Sequence, residues 1–129
     1  MEAYLTQAKP PSVLVIDDEP AILRMIAVVL RQMGLEPWTT TSAEQALAFL
    51  DSARPDLVIA DVFLPGLDGL ELTRRIKAKE ELASVPVLLI SAYGQPANHE
   101  GDGFLAKPFD IDEFVFSVTS FLNRQPPAK

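Results

Sequence analysis

Three consecutive acidic residues, Asp17, Asp18 and Glu19, follow directly after the apolar run of residues 13–16. Neighbouring carboxylates repel one another and are costly to take out of water, so folding alone gives no reason to place them at the end of a buried strand. Carboxylate oxygens completed by water suit a hard divalent cation such as Mg²⁺. A helix N-terminus at Pro20 also favours negative charge, but it explains one acid rather than two. The prediction for Asp17 and Asp18 is therefore a metal site.

Three further polar residues, Asp61, Ser91 and Lys107, stand at the ends of other apolar runs. Because ligands of open parallel sheets bind beyond the carboxyl ends of the strands, these residues are expected to meet the acids at one edge. A carboxylate can attack phosphorus to form an aspartyl-phosphate. A metal, a lysine and a hydroxyl can neutralise the transferring phosphoryl group. The pattern therefore predicts a phosphoryl-transfer site.

Short apolar runs alternate with segments of helical periodicity along the chain. Strands are predicted over residues 12–17, 35–41, 56–61, 85–92 and 103–107, and helices over residues 20–34, 41–52, 70–83 and 110–124. Strands that alternate with helices pair in parallel through right-handed crossovers. The prediction is an α/β fold with a five-stranded, doubly wound parallel sheet over residues 12–124. Residues 1–11 and 125–129 are expected to be flexible tails.

Composition narrows the classes of partner and compartment. The chain has 129 residues, no cysteine and a formal net charge of −7. This charge argues against sequence-independent binding to nucleic acid or to an anionic membrane surface, both of which need a basic patch. The absence of cysteine excludes disulfides and thiolate metal sites and fits the cytoplasm. No apolar run approaches the length of a membrane span, and the N-terminus lacks the pattern of a signal peptide.

Four short motifs together resemble the receiver domain of two-component response regulators, whose fold is flavodoxin-like and similar to that of the single-domain chemotaxis regulators. They are the Asp17–Asp18 pair, Asp61 followed by "LPGLDG", the "SA" pair at residues 91–92 and "KPF" at residues 107–109. Each motif alone is a weak signal, but all four occur in order at strand ends. The resemblance covers residues 12 to about 124.

The resemblance implies a role for each residue of the site. Asp61 is expected to be the phosphoacceptor, with Ser91 and Lys107 contacting the phosphoryl group. Asp18 and Asp61 are expected to bind Mg²⁺ directly, Asp17 largely through water, and Phe63 through its backbone carbonyl. Ser91 and Phe104 match the switch positions, and the Lys107–Pro108 peptide is expected to be cis.

The implied function is signalling. The phosphoryl group would come from a sensor histidine kinase or a phosphotransfer protein, and the signal would pass to an unidentified downstream protein. Such a domain catalyses only its own phosphorylation and dephosphorylation and is not otherwise an enzyme. Neither nucleic acid nor membrane is an expected partner.

The segment of residues 92–102 departs from the family pattern because it is close to the shortest length that can connect two parallel strands. It contains Gly94, Pro96 and Gly101 and lacks the apolar spacing of an amphipathic helix. We therefore expect the fourth helix of the family to be shortened or missing. The usual partner surface of the family, which includes that helix, is not carried over. Phe116 lies outside the apolar stripe of the last helix and either fills the space left by the missing helix or forms a surface patch.

Two rival functions remain open at this point. One is a degenerate receiver that only binds proteins, and the complete set of site residues argues against it. The other is a phosphohydrolase with an aspartyl nucleophile, which usually has a general acid two residues beyond that nucleophile. The residue at that position is Phe63, which has no proton to donate. The chain could also be part of a longer regulator.

Overall fold

A parallel five-stranded sheet forms the centre of the fold, in the order β2–β1–β3–β4–β5. The computed structural model describes residues 9–123. The strands are β1 Ser12–Ile16, β2 Glu36–Thr40, β3 Leu57–Asp61, β4 Val87–Ser91 and β5 Gly103–Ala106. The helices are α1 Pro20–Gln32, α2 Ala43–Leu50, α3 Gly69–Ala78 and α4 Ile111–Asn123. The predicted doubly wound α/β fold is confirmed. Most of the predicted N-terminal tail and all of the C-terminal one lie outside the described residues.

Both faces of the sheet are covered, and β1 shows how. Leu14 and Ile16 point to a core shared with α2 and α3, whereas Val13 and Val15 point to a core shared with α1 and α4. Every residue of β1 is buried as a result. A strand buried on both faces reads as a continuous apolar run, which is why the first charge, Asp17, comes only where the strand ends.

Side-chain caps fix where the helices begin. The Ser42 hydroxyl accepts a hydrogen bond from the Gln45 N–H at the start of α2. The Asp68 carboxylate accepts one from the Glu71 N–H at the start of α3. Such caps each stabilise a helix by about 1 kcal/mol. The cap at Asp68 sets the first turn of α3 beside the carboxyl end of β3.

Helix α3 is shorter than its periodicity predicts. The pattern extended to residue 83, but the helix ends at Ala78. Beyond it, turns bring Leu82 and Val85 into the core, where each is 1% exposed. The Lys77 ammonium donates a hydrogen bond to the Val85 carbonyl at 2.8 Å and so ties the turns after α3 to the helix. The apolar residues at 82 and 85 therefore serve the core from a turn rather than from a helix.

The connection between β4 and β5 contains no helix, as predicted. Gly101 lies directly over Leu89, because a Cβ built on Gly101 would be 3.0 Å from Leu89 Cδ1. Asp102 then anchors the start of β5, since its Oδ2 accepts from the Val87 N–H at 2.8 Å and from Lys77 Nζ at 2.7 Å. An irregular segment and one carboxylate thus replace the packing that a helix would supply. Phe116 is 74% exposed, so it does not fill the vacated space.

Amide hydrogen exchange should be fast across residues 94–100. Only three main-chain N–H groups in the range 93–102 donate hydrogen bonds, those of Tyr93, Gly101 and Asp102. Amides without partners exchange with little or no opening free energy, whereas those of β4 should require unfolding of the sheet. Exchange measured by mass spectrometry gives both values in one experiment. Strong protection of residues 94–100 would show that a helix forms there in solution.

Candidate functional site

Lys107 joins two carboxylates at the carboxyl edge of the sheet. Its Nζ lies 2.8 Å from Asp17 Oδ2 and 2.8 Å from Asp61 Oδ2. Asp17 follows β1, Asp61 ends β3, and Lys107 follows β5. The side chains of Lys107, Asp17 and Asp61 are 12%, 0% and 10% exposed. The structure therefore places these predicted site residues in a single, nearly buried ion-pair network.

Burial and pairing set the charges of this network. Burial raises the pKa of Asp17, and the hydrogen bonds from Lys107 and from the Glu19 N–H only partly offset that rise. Burial by itself would lower the pKa of Lys107, but its hydrogen bonds to Asp17 and Asp61 outweigh burial and raise it well above its usual value. The ammonium therefore keeps its charge at neutral pH. It leaves the acids incompletely neutralised, since one positive charge faces several carboxylates.

A third carboxylate completes a group that fits a small divalent cation. One oxygen from each of Asp17, Asp18 and Asp61 lies within 4.8 Å of the other two. Ligand oxygens at about 2.1 Å from Mg²⁺ are at most about 4.2 Å apart, so only a small contraction would bring the three onto one ion. Asp18 is the exposed member of the group, as an open coordination site requires. The donor set consists of hard oxygens, which suits Mg²⁺ rather than a soft metal.

The backbone after β3 supports Asp61. The Phe63 N–H donates to Asp61 Oδ1 at 3.0 Å, which leaves Oδ2 for Lys107. A Cβ on Gly69 would lie 2.2 Å from the Asp61 carbonyl oxygen, so only glycine allows α3 to begin this close. The Asp61 carboxylate is therefore held in place from both of its oxygens.

Ser91 ends β4 at the carboxyl edge of the sheet, and Phe104 lies in the neighbouring strand β5. Ser91 is fully buried, and its hydroxyl accepts a hydrogen bond from the Tyr93 N–H at 3.0 Å. Its carbonyl accepts from the Lys107 N–H at 2.9 Å, which ties the backbones of the two predicted site residues together. Phe104 is partly buried against the core. The Lys107–Pro108 peptide is cis, as expected. The switch roles of Ser91 and Phe104 stay predictions.

The structure adds two features to the predicted site, Glu19 at its rim and a pair of aromatic rings. Glu19 reaches Lys107 at 3.4 Å although its side chain is 63% exposed, so a third carboxylate contacts the ammonium. The rings of Phe63 and Tyr93 form an edge-to-face pair with centroids 5.1 Å apart. Tyr93 follows Ser91 by two residues, as Phe63 follows Asp61, and this equal offset from neighbouring strands was the available signal. We refer to these two rings as the aromatic pair.

The sequence of residues 13–119 matches the family of response regulator receiver domains. The chain belongs to this family. Its receiver fold also has close counterparts among solved structures. The response regulator TrrA from Thermotoga maritima, solved in complex with Mg²⁺–BeF, is 32% identical with a TM-score of 0.79, covering 87% of this chain and 99% of that one. A receiver domain of a Pseudomonas aeruginosa PAO1 sensor histidine kinase, with a magnesium ion in its active-site cleft, is 26% identical with a TM-score of 0.82, covering 89% and 99%.

Curated relatives include longer regulators. The phosphate regulon transcriptional regulatory protein PhoB of Pseudomonas aeruginosa is 34% identical over 122 residues, which are 90% of this receiver and 53% of PhoB. The chain thus spans about half the length of the curated relatives it matches. None of the helices in residues 9–123 is long and apolar enough to cross a membrane.

Proposed function

We propose that Asp61 accepts a phosphoryl group from a phosphohistidine of a sensor kinase or phosphotransfer protein. Mg²⁺ would be held by Asp17, Asp18, Asp61 and the backbone carbonyl of Phe63. The observation that carries the proposal is the position of Lys107, 2.8 Å from both Asp17 and Asp61. One oxygen from each of those two carboxylates and one from Asp18 also lie within 4.8 Å of one another. The presence of magnesium in the cleft of the related sensor kinase receiver supports the metal.

The residues of this chain divide the work of the transfer. A carboxylate oxygen of Asp61 forms the new O–P bond while the N–P bond of the donor breaks and its electron pair stays on the departing imidazole. Lys107 already touches Asp61, so its ammonium is placed to pair with a phosphoryl oxygen as charge accumulates there. When bound, Mg²⁺ would supply further neutralisation of the phosphoryl oxygens.

Ser91 would couple phosphorylation of Asp61 to a conformational change at the surface. We infer that its hydroxyl turns towards a phosphoryl oxygen after transfer. The Tyr93 N–H then loses its acceptor, because that hydroxyl is its present partner. The segment of residues 93–102 begins at this point, so its conformation would change together with the position of Phe104. A downstream protein would read that change.

Other functions have less support. A phosphohydrolase would need an acid near Asp61 to protonate a leaving group, and the residue two positions on is the apolar Phe63. We therefore propose that the domain acts only on its own phosphoryl group. We also propose a cytoplasmic protein whose receiver binds proteins rather than nucleic acid, because a net charge of −7 disfavours contact with phosphates. PhoB is named a transcriptional regulator, but this chain spans only half its length.

Asp18→Ala tests the metal and the function together. Wild type incubated with acetyl phosphate and Mg²⁺ should gain one phosphoryl group by intact-mass spectrometry, and the variant should gain it far more slowly. Mg²⁺ at about ten times its dissociation constant should stabilise wild type by roughly 1.4 kcal/mol, and the variant should lose most of this gain. The rise in melting temperature is on the order of 3–6 °C for a domain of this size. An equal Mg²⁺ response in both proteins would place the metal elsewhere.

A further inference from the structure

The two residues of the aromatic pair each follow a predicted site residue by two positions, Phe63 after Asp61 and Tyr93 after Ser91. Phe63 is 55% exposed and Tyr93 is 80% exposed, so neither ring is needed to fill the core. The backbone of each residue is held by a side chain of the site, since the Phe63 N–H donates to Asp61 Oδ1 and the Tyr93 N–H donates to Ser91 Oγ. Strands β3 and β4 are neighbours, and the contact between the two rings connects the segments that follow these strands.

The geometry points to a subsite for the imidazole ring of the phosphodonor, formed by Phe63 and Tyr93. This inference rests on the proposed function, because it specifies which leaving group that reaction prefers. An edge-to-face contact with an interplanar angle of 83° leaves ring faces and edges open to a third flat ring. Aromatic pairs prefer offset-stacked or edge-to-face arrangements, and an imidazole ring can adopt either against Phe63 or Tyr93. A planar imidazole can therefore be held with its N–P bond directed into the site.

Electrostatics favour imidazole over an anionic leaving group. Lys107 is the ammonium of the site, and it contacts Asp17, Glu19 and Asp61 while Asp18 lies beside them. Four carboxylates thus surround one positive side chain, and an aromatic face is itself the negative part of a ring. A reactive phosphoimidazole carries a proton on its second nitrogen, so the ring is cationic and is attracted by these faces.

The atoms of the transfer balance for either class of donor. With phosphoimidazole the N–P bond breaks, an O–P bond forms to Asp61, and the ring leaves as neutral imidazole because it was already protonated. With acetyl phosphate an O–P bond breaks and acetate leaves as an anion into the same acidic surroundings. The aromatic pair is expected to assist the departure of imidazole but not that of acetate.

Three small phosphodonors distinguish the effect of an aromatic leaving group from the effect of the N–P bond itself. Phosphoimidazole has an N–P bond and a ring, phosphoramidate has an N–P bond without a ring, and acetyl phosphate has neither. Initial rates of phosphorylation at Asp61 are measured by intact mass in the presence of Mg²⁺. The rate with phosphoimidazole is then divided by the rate with each of the other two donors, which gives two rate ratios. Tyr93→Leu and Phe63→Leu should each lower both ratios about two- to fivefold, and the double variant on the order of tenfold.

Two control variants make the result specific. Tyr93→Phe keeps the ring and should keep the ratios of wild type. Phe116→Leu removes another aromatic ring, 74% exposed on α4, and should also keep them. Ratios unchanged in the double variant, or lowered equally in Phe116→Leu, would overturn the subsite while phosphorylation of Asp61 upheld the proposed function. A wild-type protein that reacts with none of the three donors would overturn both.

Discussion

Asp61→Asn should take up no phosphoryl group under conditions in which wild type takes up one. The amide has nearly the volume of the carboxylate but is not a nucleophile towards phosphorus, so the acceptor is lost while the fold remains. The Phe63 N–H can still donate to the amide oxygen, as it now does to Asp61 Oδ1. The expected loss is complete within the sensitivity of intact-mass spectrometry after incubation with Mg²⁺ and acetyl phosphate.

Asp68→Asn is the matched control for that experiment. Asp68 lies in the loop that follows Asp61 and caps α3 through the Glu71 N–H. Asparagine caps helices about as well as aspartate, so this variant should fold and be phosphorylated like wild type. Equal uptake by Asp61→Asn and wild type would move the acceptor to another residue. No uptake by wild type would favour a degenerate receiver that binds proteins without phosphorylation.

The meeting of the charged residues was predictable because it follows from topology. Asp17 and Lys107 are 90 positions apart, yet their side chains form a 2.8 Å hydrogen bond. Parallel strands bring all their carboxyl ends to one edge of the sheet. A polar residue that directly follows an apolar run is therefore predicted to lie at that edge. The loss of a helix between β4 and β5 was predictable for a similar reason, since glycine, proline and the lack of apolar periodicity are local signals.

Side-chain orientation was not predictable from the same pattern. The hydrogen bond that the Ser91 hydroxyl accepts from the Tyr93 N–H had no signal in the spacing of the motifs. Lys77, in the last turn of α3, donates through its ammonium to the Val85 carbonyl and the Asp102 carboxylate. These contacts are tertiary, and each is chosen among rotamers that the sequence allows equally. Spacing along the chain therefore locates the site but does not assign its hydrogen bonds.

Lys107→Met should lower stability strongly when no divalent metal is present. Methionine keeps the length of the side chain but removes the ammonium, so Asp17 and Asp61 face each other without a counter-charge. Their side chains are 0% and 10% exposed, so water cannot replace the lost partner. Removing one member of a buried ion pair costs about 3–5 kcal/mol, which for this domain lowers the melting temperature on the order of 10 °C. Thermal unfolding in EDTA at neutral pH gives the value.

Adding Mg²⁺ and lowering the pH should each reduce the difference in melting temperature between Lys107→Met and wild type. A bound cation would replace the missing positive charge, so the metal should raise the melting temperature of the variant more than that of wild type. Burial already raises the pKa of Asp17, and the variant lacks the lysine that opposes this rise. An acid whose pKa is raised in the folded state lowers the stability at pH values above that pKa, and this cost disappears below the pKa of the unfolded state. Acidification should therefore also reduce the difference in melting temperature between the variant and wild type.

Lys79→Met is the control, because the ion pair of Lys79 with Asp51 is 3.5 Å long and the two side chains are 38% and 72% exposed. Such surface pairs contribute about 0–1 kcal/mol, so its melting temperature should change by only a few degrees and should not respond to the metal. A Lys107→Met protein as stable as wild type in EDTA would show that the ammonium does not hold the two acids in the fold.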